Sequence, residues 1–180
     1  MIYSMETYLI VAYGFWLIAV AYASNAFPPL VKGKIPIDKG KKLRNKRLLG
    51  DGKTFEGSIA GFLFGLFIGL ILLYFQPDLK GIPELSSLPD LSLIMVLLLS
   101  IGAILGDMFG SFIKRQFNLK RGRPAPLLDQ LDFVIGALLF LSLVYVPPLE
   151  VIFFIIIITP IIHWMANIIG YLAGVKNDPW

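Results

Sequence analysis

Residues 58–75 read SIAGFLFGLFIGLILLYF, an apolar run with no charged side chain, closed by Gln76-Pro77-Asp78. A helix that crosses a bilayer needs roughly 20 mostly apolar residues, and few other elements use such a run. This stretch decides the fold class. Just before it stands "LGDGKTFEG" (49–57), preceded in turn by a basic loop. The chain therefore passes from a charged surface into hydrocarbon within a few residues.

The rest of the 180 residues agree. Hydrophobic residues make up 57%, charged residues only 16%, and the mean hydropathy is +0.77. A water-soluble domain of this size buries its core with a smaller apolar share. Further spans are expected at about 7–27, 91–113, 131–147 and 151–175, the last with a kink at Pro160. The expected fold is an all-α integral membrane protein of five transmembrane helices forming a single polytopic domain, 1–180. "MIYSMETYLIVAYGFW" has no basic segment ahead of its apolar stretch, so it reads as a retained span and not as a cleaved signal peptide. With no cysteine, disulfides, thiolate metal sites and cysteine nucleophiles are excluded.

Charge orients the spans. Loop 32–53 holds nine Lys/Arg against Asp38 and Asp51, and loop 114–129 holds five against Asp129. Segment 76–90 carries Lys80 against Asp78, Glu84 and Asp90, and 147–150 has no basic residue. The positive-inside rule puts both basic loops and the C-terminus in the cytoplasm and the N-terminus outside. Attraction to anionic headgroups accounts for part of this basic excess. It does not account for the glycines and acids set within it.

Three groups of residues carry chemistry. Asp107 lies inside a span, at an insertion cost of roughly 2.5–3.5 kcal/mol. It shares a helix face with Ser111, Lys114 and Arg115, at i+4, i+7 and i+8. A structural ion pair is the plainer reading. In "LLDQLDF", Asp129 and Asp132 stand at i and i+3 on one face at the start of the fourth span. One acid suffices to cap a helix; two, with Asp107 on the preceding span, make a carboxylate set suited to Mg²⁺. "HWMANIIGY" places His163, Asn167 and Tyr171 on one face of the last span. Hydrogen bonding between helices is their ordinary role.

Gly52-Lys53-Thr54 resembles the end of a Walker loop. The first glycine of that motif would fall at position 47, which is Arg47, and no strand precedes it. What remains is local: Gly50 and Gly52 allow close backbone approach to an anion, Lys53 adds charge, and Thr54 is placed to cap the next helix. Glu56 stands two residues after Thr54 and misses the capping-box spacing.

With these residues in view, the chain resembles the archaeal CDP-archaeol synthases, relatives of the CDP-diacylglycerol synthases. The likeness covers most of the chain and is carried by "NAFPPL" (25–30), "PIDKGKKLRNKRLLGDGKTFEG" (36–57), "GDMFGSFIKR" (106–115), "KRGRPAPLLDQLDF" (120–133) and the His163…Trp180 tail. Gln130 stands where the bacterial relatives have Arg, which fits the archaeal branch. The resemblance implies a cytidylyltransferase joining CTP to a prenylated glycerol phosphate, 2,3-bis-O-geranylgeranyl-sn-glycerol 1-phosphate, with release of pyrophosphate. It implies Mg²⁺ on Asp107, Asp129 and Asp132, with Lys114 beside them. Gly50, Gly52, Lys53, Thr54, Glu56, Arg115 and Arg121 are expected at CTP. Asn25, Ser111, His163 and Asn167 are expected at the lipid phosphate or as structural polar groups. The expected location is the cell membrane, active site facing the cytoplasm, with no nucleic-acid partner.

The chemistry agrees with what the chain lacks. A phosphate monoester is largely dianionic at neutral pH, so it attacks without a strong base, and no Ser/His/Asp arrangement is needed. Positioning and charge neutralisation are needed instead. A CTP-dependent polyprenol kinase is a rival that would need a base for a hydroxyl. A cation carrier using Asp107 and His163 is another. The CDP-alcohol phosphotransferases fail at their own signature, because Lys53-Thr54-Phe55-Glu56 replaces x-x-Ala-Arg after Asp51-Gly52.

Overall fold

A computed structural model describes residues 5–119, 123 and 125–174. Helix α1 (Thr7–Ala26) ends at Phe27, whose backbone is still in the helical region (φ −82°, ψ −36°), and Pro28-Pro29 open the single turn α2 (Pro28–Val31). A short hairpin follows, β1 (Lys42–Leu43) antiparallel to β2 (Lys46–Arg47). Then come α3 (Phe55–Lys80), a 3₁₀ turn at Pro83–Leu85, α4 (Leu93–Gln116), α5 (Leu128–Leu141) and α6 (Leu149–Leu172).

The five long helices match the expected spans in order, with one correction. Among the described residues four helices are long and apolar enough to cross a membrane: 7–31 (α1 with α2), α3, α4 and α6. The expected fourth span, 131–147, is instead the 14-residue α5 followed by turn and extended chain. At 1.5 Å per residue α5 is about 21 Å long, short of a hydrocarbon core of about 30 Å. Helix α5 closes at Ser142, a turn follows, and Pro147 and Pro148 lead into α6. Pro160 lies within α6, and the helix continues through it. Thr159 meets the local disturbance by donating to the Ile155 carbonyl (2.6 Å) and accepting from the Tyr22 hydroxyl (2.8 Å).

Helix α1 occupies the centre, with Leu17, Ile18, Val20 and Ala21 buried, and it packs on α3, α4, α5 and α6. Glycines set how closely the others approach. Along α3, Gly57, Gly61, Gly65 and Gly69 recur every fourth residue and form its buried face. A Cβ on Gly61 would sit 2.5 Å from the Ser24 carbonyl oxygen, and one on Gly69 would sit 2.1 Å from Val96 Cγ1. Along α4, Gly102, Gly106 and Gly110 face α5 at Gly136 and Asp132. Small residues at such spacing let helix backbones come into contact in lipid, where no hydrophobic force draws helices together. The opposite faces, with Leu63, Phe67 and Tyr74 of α3 and Phe153 and Ile157 of α6, are exposed. An apolar surface of this extent belongs against hydrocarbon.

The chain runs alternately up and down. The C-terminal ends of α1, α4 and α6 therefore gather with the N-terminal ends of α3 and α5. The first basic loop and the described ends of the second lie at that end of the bundle.

Candidate active site

At this end the helices leave a cavity of about 590 Å³. Asn25 comes to it from α1, and Thr54, Gly57 and Ser58 from the start of α3. Helix α4 presents Asp107, Ser111, Lys114 and Arg115 on one stripe, α5 presents Asp129 and Asp132, and α6 presents His163 and Asn167. The loop residues Arg47, Leu49, Gly50, Asp51, Gly52 and Lys53 close one side. Asp107 is nine residues from the end of α4, so the polar surface descends about 14 Å along that helix.

The glycine seam explains why three carboxylates from two helices reach one space. A Cβ on Gly106 would meet the Asp132 backbone oxygen at 2.3 Å, and one on Gly110 would meet Asp132 Oδ2 at 2.0 Å. Only glycine lets α5 lie this close. The carboxylates are already partnered. Lys53 pairs with Asp107 and Lys114 with Asp129; Asp129 Oδ2 also accepts from the Ala125 amide (2.9 Å) and Asp132 Oδ1 from the Phe133 amide (2.7 Å). Asn167 Nδ2 and His163 Nδ1 lie 3.3 Å apart. Arg115 donates to the Leu119 carbonyl, while its Nε is buried with no hydrogen-bond partner among the described residues. That orphaned donor lies beside Gly50, and a buried donor without an acceptor is costly until an anion arrives.

The first basic loop is an ordered lobe. Ile37 donates to the Lys53 carbonyl (2.8 Å) and Phe55 to the Ile35 carbonyl (3.0 Å), so the strands leaving α2 and entering α3 pair at the base. Thr54 caps α3 by accepting from the Gly57 amide (3.2 Å). Lys46 Nζ donates to the Gln116 carbonyl (2.5 Å), which docks the hairpin on the end of α4. Asp38, buried within the lobe, accepts from Arg47 and from the amides of Gly40, Leu49 and Gly50. The Arg47 guanidinium, helped by those amides, holds its carboxyl well below the usual carboxylate range against the opposing effect of burial.

Nearly all the residues singled out from sequence line this one space. Glu56 does not: its carboxylate accepts from the Lys34 (3.2 Å) and Ile35 (3.2 Å) amides and closes the base of the lobe, which explains its place after Thr54. Tyr171 is exposed on α6 and does not line it. Arg121 lies outside the described residues. Sequence reasoning missed Arg47 and Asp51 in the lining and Asp38 behind it. Arg47 served there only to exclude a Walker motif, and Asp38 was one acid in a basic run.

Among the described residues no three His, Asp or Glu side chains stand together as a ready metal site. The donor chemistry still suits Mg²⁺, a hard cation commonly held by one or two carboxylates plus substrate phosphates. Asp107, Asp129 and Asp132 bring such oxygens to one cavity.

Comparison with known proteins places this geometry. A family model described as CarS-like, CDP-archaeol synthase, matches residues 7–180. The CDP-archaeol synthase of Thermococcus kodakarensis is 45% identical over 93% of this chain and 95% of the relative. That of Pyrococcus horikoshii is 44% identical over 92% and 95%. A solved structure of an intramembrane enzyme for archaeal membrane lipid biosynthesis superposes with a TM-score of 0.73 at 37% identity, covering 86% of this chain and 92% of the other.

Proposed function

The chain belongs to the CarS-like CDP-archaeol synthase family, and from that membership we propose that it transfers cytidylate from CTP to a prenylated glycerol phosphate in the membrane. The proposed lipid is 2,3-bis-O-geranylgeranyl-sn-glycerol 1-phosphate and the products are the unsaturated CDP-archaeol and pyrophosphate. A lipid phosphate oxygen attacks the α-phosphorus of CTP, the bond from that phosphorus to the bridging oxygen breaks, and pyrophosphate leaves with the electron pair. No proton has to be taken from the nucleophile.

The observation that carries this reading is the makeup of the cavity: cations and carboxylates from the first loop, α4 and α5, two of the carboxylates paired with lysines, at the end of a membrane bundle. Two polyanions and a divalent cation can trade partners with these pairs. Lys53 and Lys114 would turn from their carboxylates, and Arg115 its orphaned donor, to phosphate oxygens, while Asp107, Asp129 and Asp132 would hold Mg²⁺. When bound, that ion would neutralise developing charge on the pyrophosphate. The turn through Gly50 and Gly52, with the Gly50 amide held behind it by Asp38, and Thr54 at the start of α3 border the space proposed for the nucleotide. His163, Asn167 and Asn25, at the α1 and α6 wall, would meet the lipid phosphate or serve as structural polar groups. The charge asymmetry of the loops supports a cytoplasmic cavity, where CTP is made.

Purified protein in detergent is incubated with α-labelled CTP, Mg²⁺ and the lipid phosphate. The expected product is a CMP-bearing lipid with stoichiometric pyrophosphate. Transfer of only the γ-phosphate would make it a kinase. Ion flux in liposomes without nucleotide turnover would make it a carrier.

A further inference from the structure

We propose that Asp38 is the positioning residue of the nucleotide site, shaping from behind the turn that faces CTP; this rests on the cytidylyltransferase reading. Its side chain is 1% exposed and lies outside the cavity lining. Five donors converge on its two oxygens: the Gly40 amide (3.1 Å), Arg47 Nε (3.1 Å), Arg47 Nη2 (2.7 Å), the Leu49 amide (3.0 Å) and the Gly50 amide (2.9 Å). Three of the residues it holds, Arg47, Leu49 and Gly50, line the cavity.

The chemistry requires a carboxylate there. Every group aimed at the side chain is an N–H, and only an ionised Asp offers acceptors on both oxygens. Asparagine keeps the shape and turns an NH₂ towards at least two donors. Arg47 would then lose one of its two bonds to residue 38, and its remaining carboxylate partner would be Asp51, whose side chain is 65% exposed. An exposed ion pair holds a long side chain weakly. Gly50 sits at φ 86°, in the left-handed region, with its Cα facing Arg115. The carboxylate fixes that turn while the backbone of Gly50 borders the cavity. Asp38 therefore acts on the nucleotide through Arg47 and Gly50, and on nothing at the lipid side, where His163 and Asn167 stand on another helix.

The test compares wild type and Asp38→Asn, folded in detergent, by calorimetric CTP binding and by transfer rates with each substrate varied. Loss of one charge-assisted hydrogen bond predicts a rise in Kd and KM for CTP of about 10- to 100-fold. KM for the lipid phosphate and kcat should stay within about threefold. A merely structural lesion would lower kcat through the fraction of active protein and leave KM for CTP in place; that result, or unchanged CTP binding, overturns the proposal. Should Asp38→Asn fail to insert, Gly50→Ala strains the same turn with Asp38 intact. It must then raise KM for CTP alone, and an unchanged value overturns the proposal equally. Wild type that binds CTP without transferring cytidylate sinks the functional reading only, because binding reads the turn separately.

Discussion

Gly106→Ala should separate the effect of helix spacing from that of chemistry. The new Cβ would lie 2.3 Å from the Asp132 carbonyl oxygen and 3.0 Å from Gly136 Cα. Both neighbours are backbone, so no side chain can swing aside. To reach ordinary contact, α5 must move from α4 by about 1 Å. Overpacking of this kind costs about 1–3 kcal/mol, against roughly 1 kcal/mol gained by replacing glycine with alanine inside a helix. Net stability should therefore fall by only about 0–2 kcal/mol, and the protein should still insert and fold. Activity should fall much further. Asp132 sits on the displaced helix and Asp107 on the fixed one, and a misplacement of about 1 Å costs on the order of 100-fold in rate. The assay is cytidylate transfer at saturating CTP, Mg²⁺ and lipid phosphate, alongside a thermal melt by size-exclusion in detergent. Activity within about threefold of wild type, with an unchanged melting temperature, would refute the argument that this seam sets the distance between the carboxylates.

Asp132→Asn and Asp129→Asn should each reduce transfer by at least about 100-fold while leaving insertion intact; near-wild-type rates would remove them from the reacting centre. CTP and Mg²⁺ should bind with positive linkage of about 5- to 150-fold, because each releases the partners the other needs; calorimetry of CTP with and without Mg²⁺ reads this, and equal affinities would count against partner exchange. Thr54→Ala should cost about 1 kcal/mol by removing the cap on α3, with Thr54→Ser close to wild type; equal melting temperatures for all three proteins would deny the cap a role. Asp38 has a folded-state pKa below its unfolded value, so its contribution is fully present above about pH 5 and is lost as the pH falls through and below about 4. Hydrogen exchange of the Leu49 and Gly50 amides, corrected for intrinsic rate, should thus be flat from neutral pH to about 5 and lose protection only in more acid solution; loss of protection near neutrality would contradict this sign.

Much of the architecture was legible because lipid imposes a simple rule: long uncharged runs become helices. The 58–75 run lies inside α3, and the first basic loop and the described ends of the second fall at one end of the bundle. The acids were legible too, since a carboxylate within an apolar run needs a reason. The fourth span was misjudged because composition cannot distinguish a spanning helix from a short one completed by extended chain. Proline at 147 and 148 was the available warning. The glycine spacing at 57, 61, 65 and 69, and again at 102, 106 and 110, was also present in the sequence. Its meaning depends on which helix lies opposite, and periodicity alone does not say. Asp38 was hidden for a different reason. Its importance comes from five donors that converge only after the lobe folds, and in the linear chain it is one acid among nine basic residues.

The two glycine stripes and the ion pairs solve one problem together. A cavity for charged substrates inside a bilayer must carry many fixed charges, and each is costly in a thin, dry wall. Close helix contact at Gly106 and Gly110 brings Asp132 to the α4 side of the site, and the α3 stripe brings Thr54 and the lobe above it. Lys53 and Lys114, arriving from a loop and from the end of α4, then neutralise Asp107 and Asp129 before any substrate is present. The folded protein thus tolerates the charges it needs, at the cost of having to break those pairs to work. Loosening either stripe separates the cations from the acids. Its first consequence should be loss of the paired site, with the helices themselves still in place.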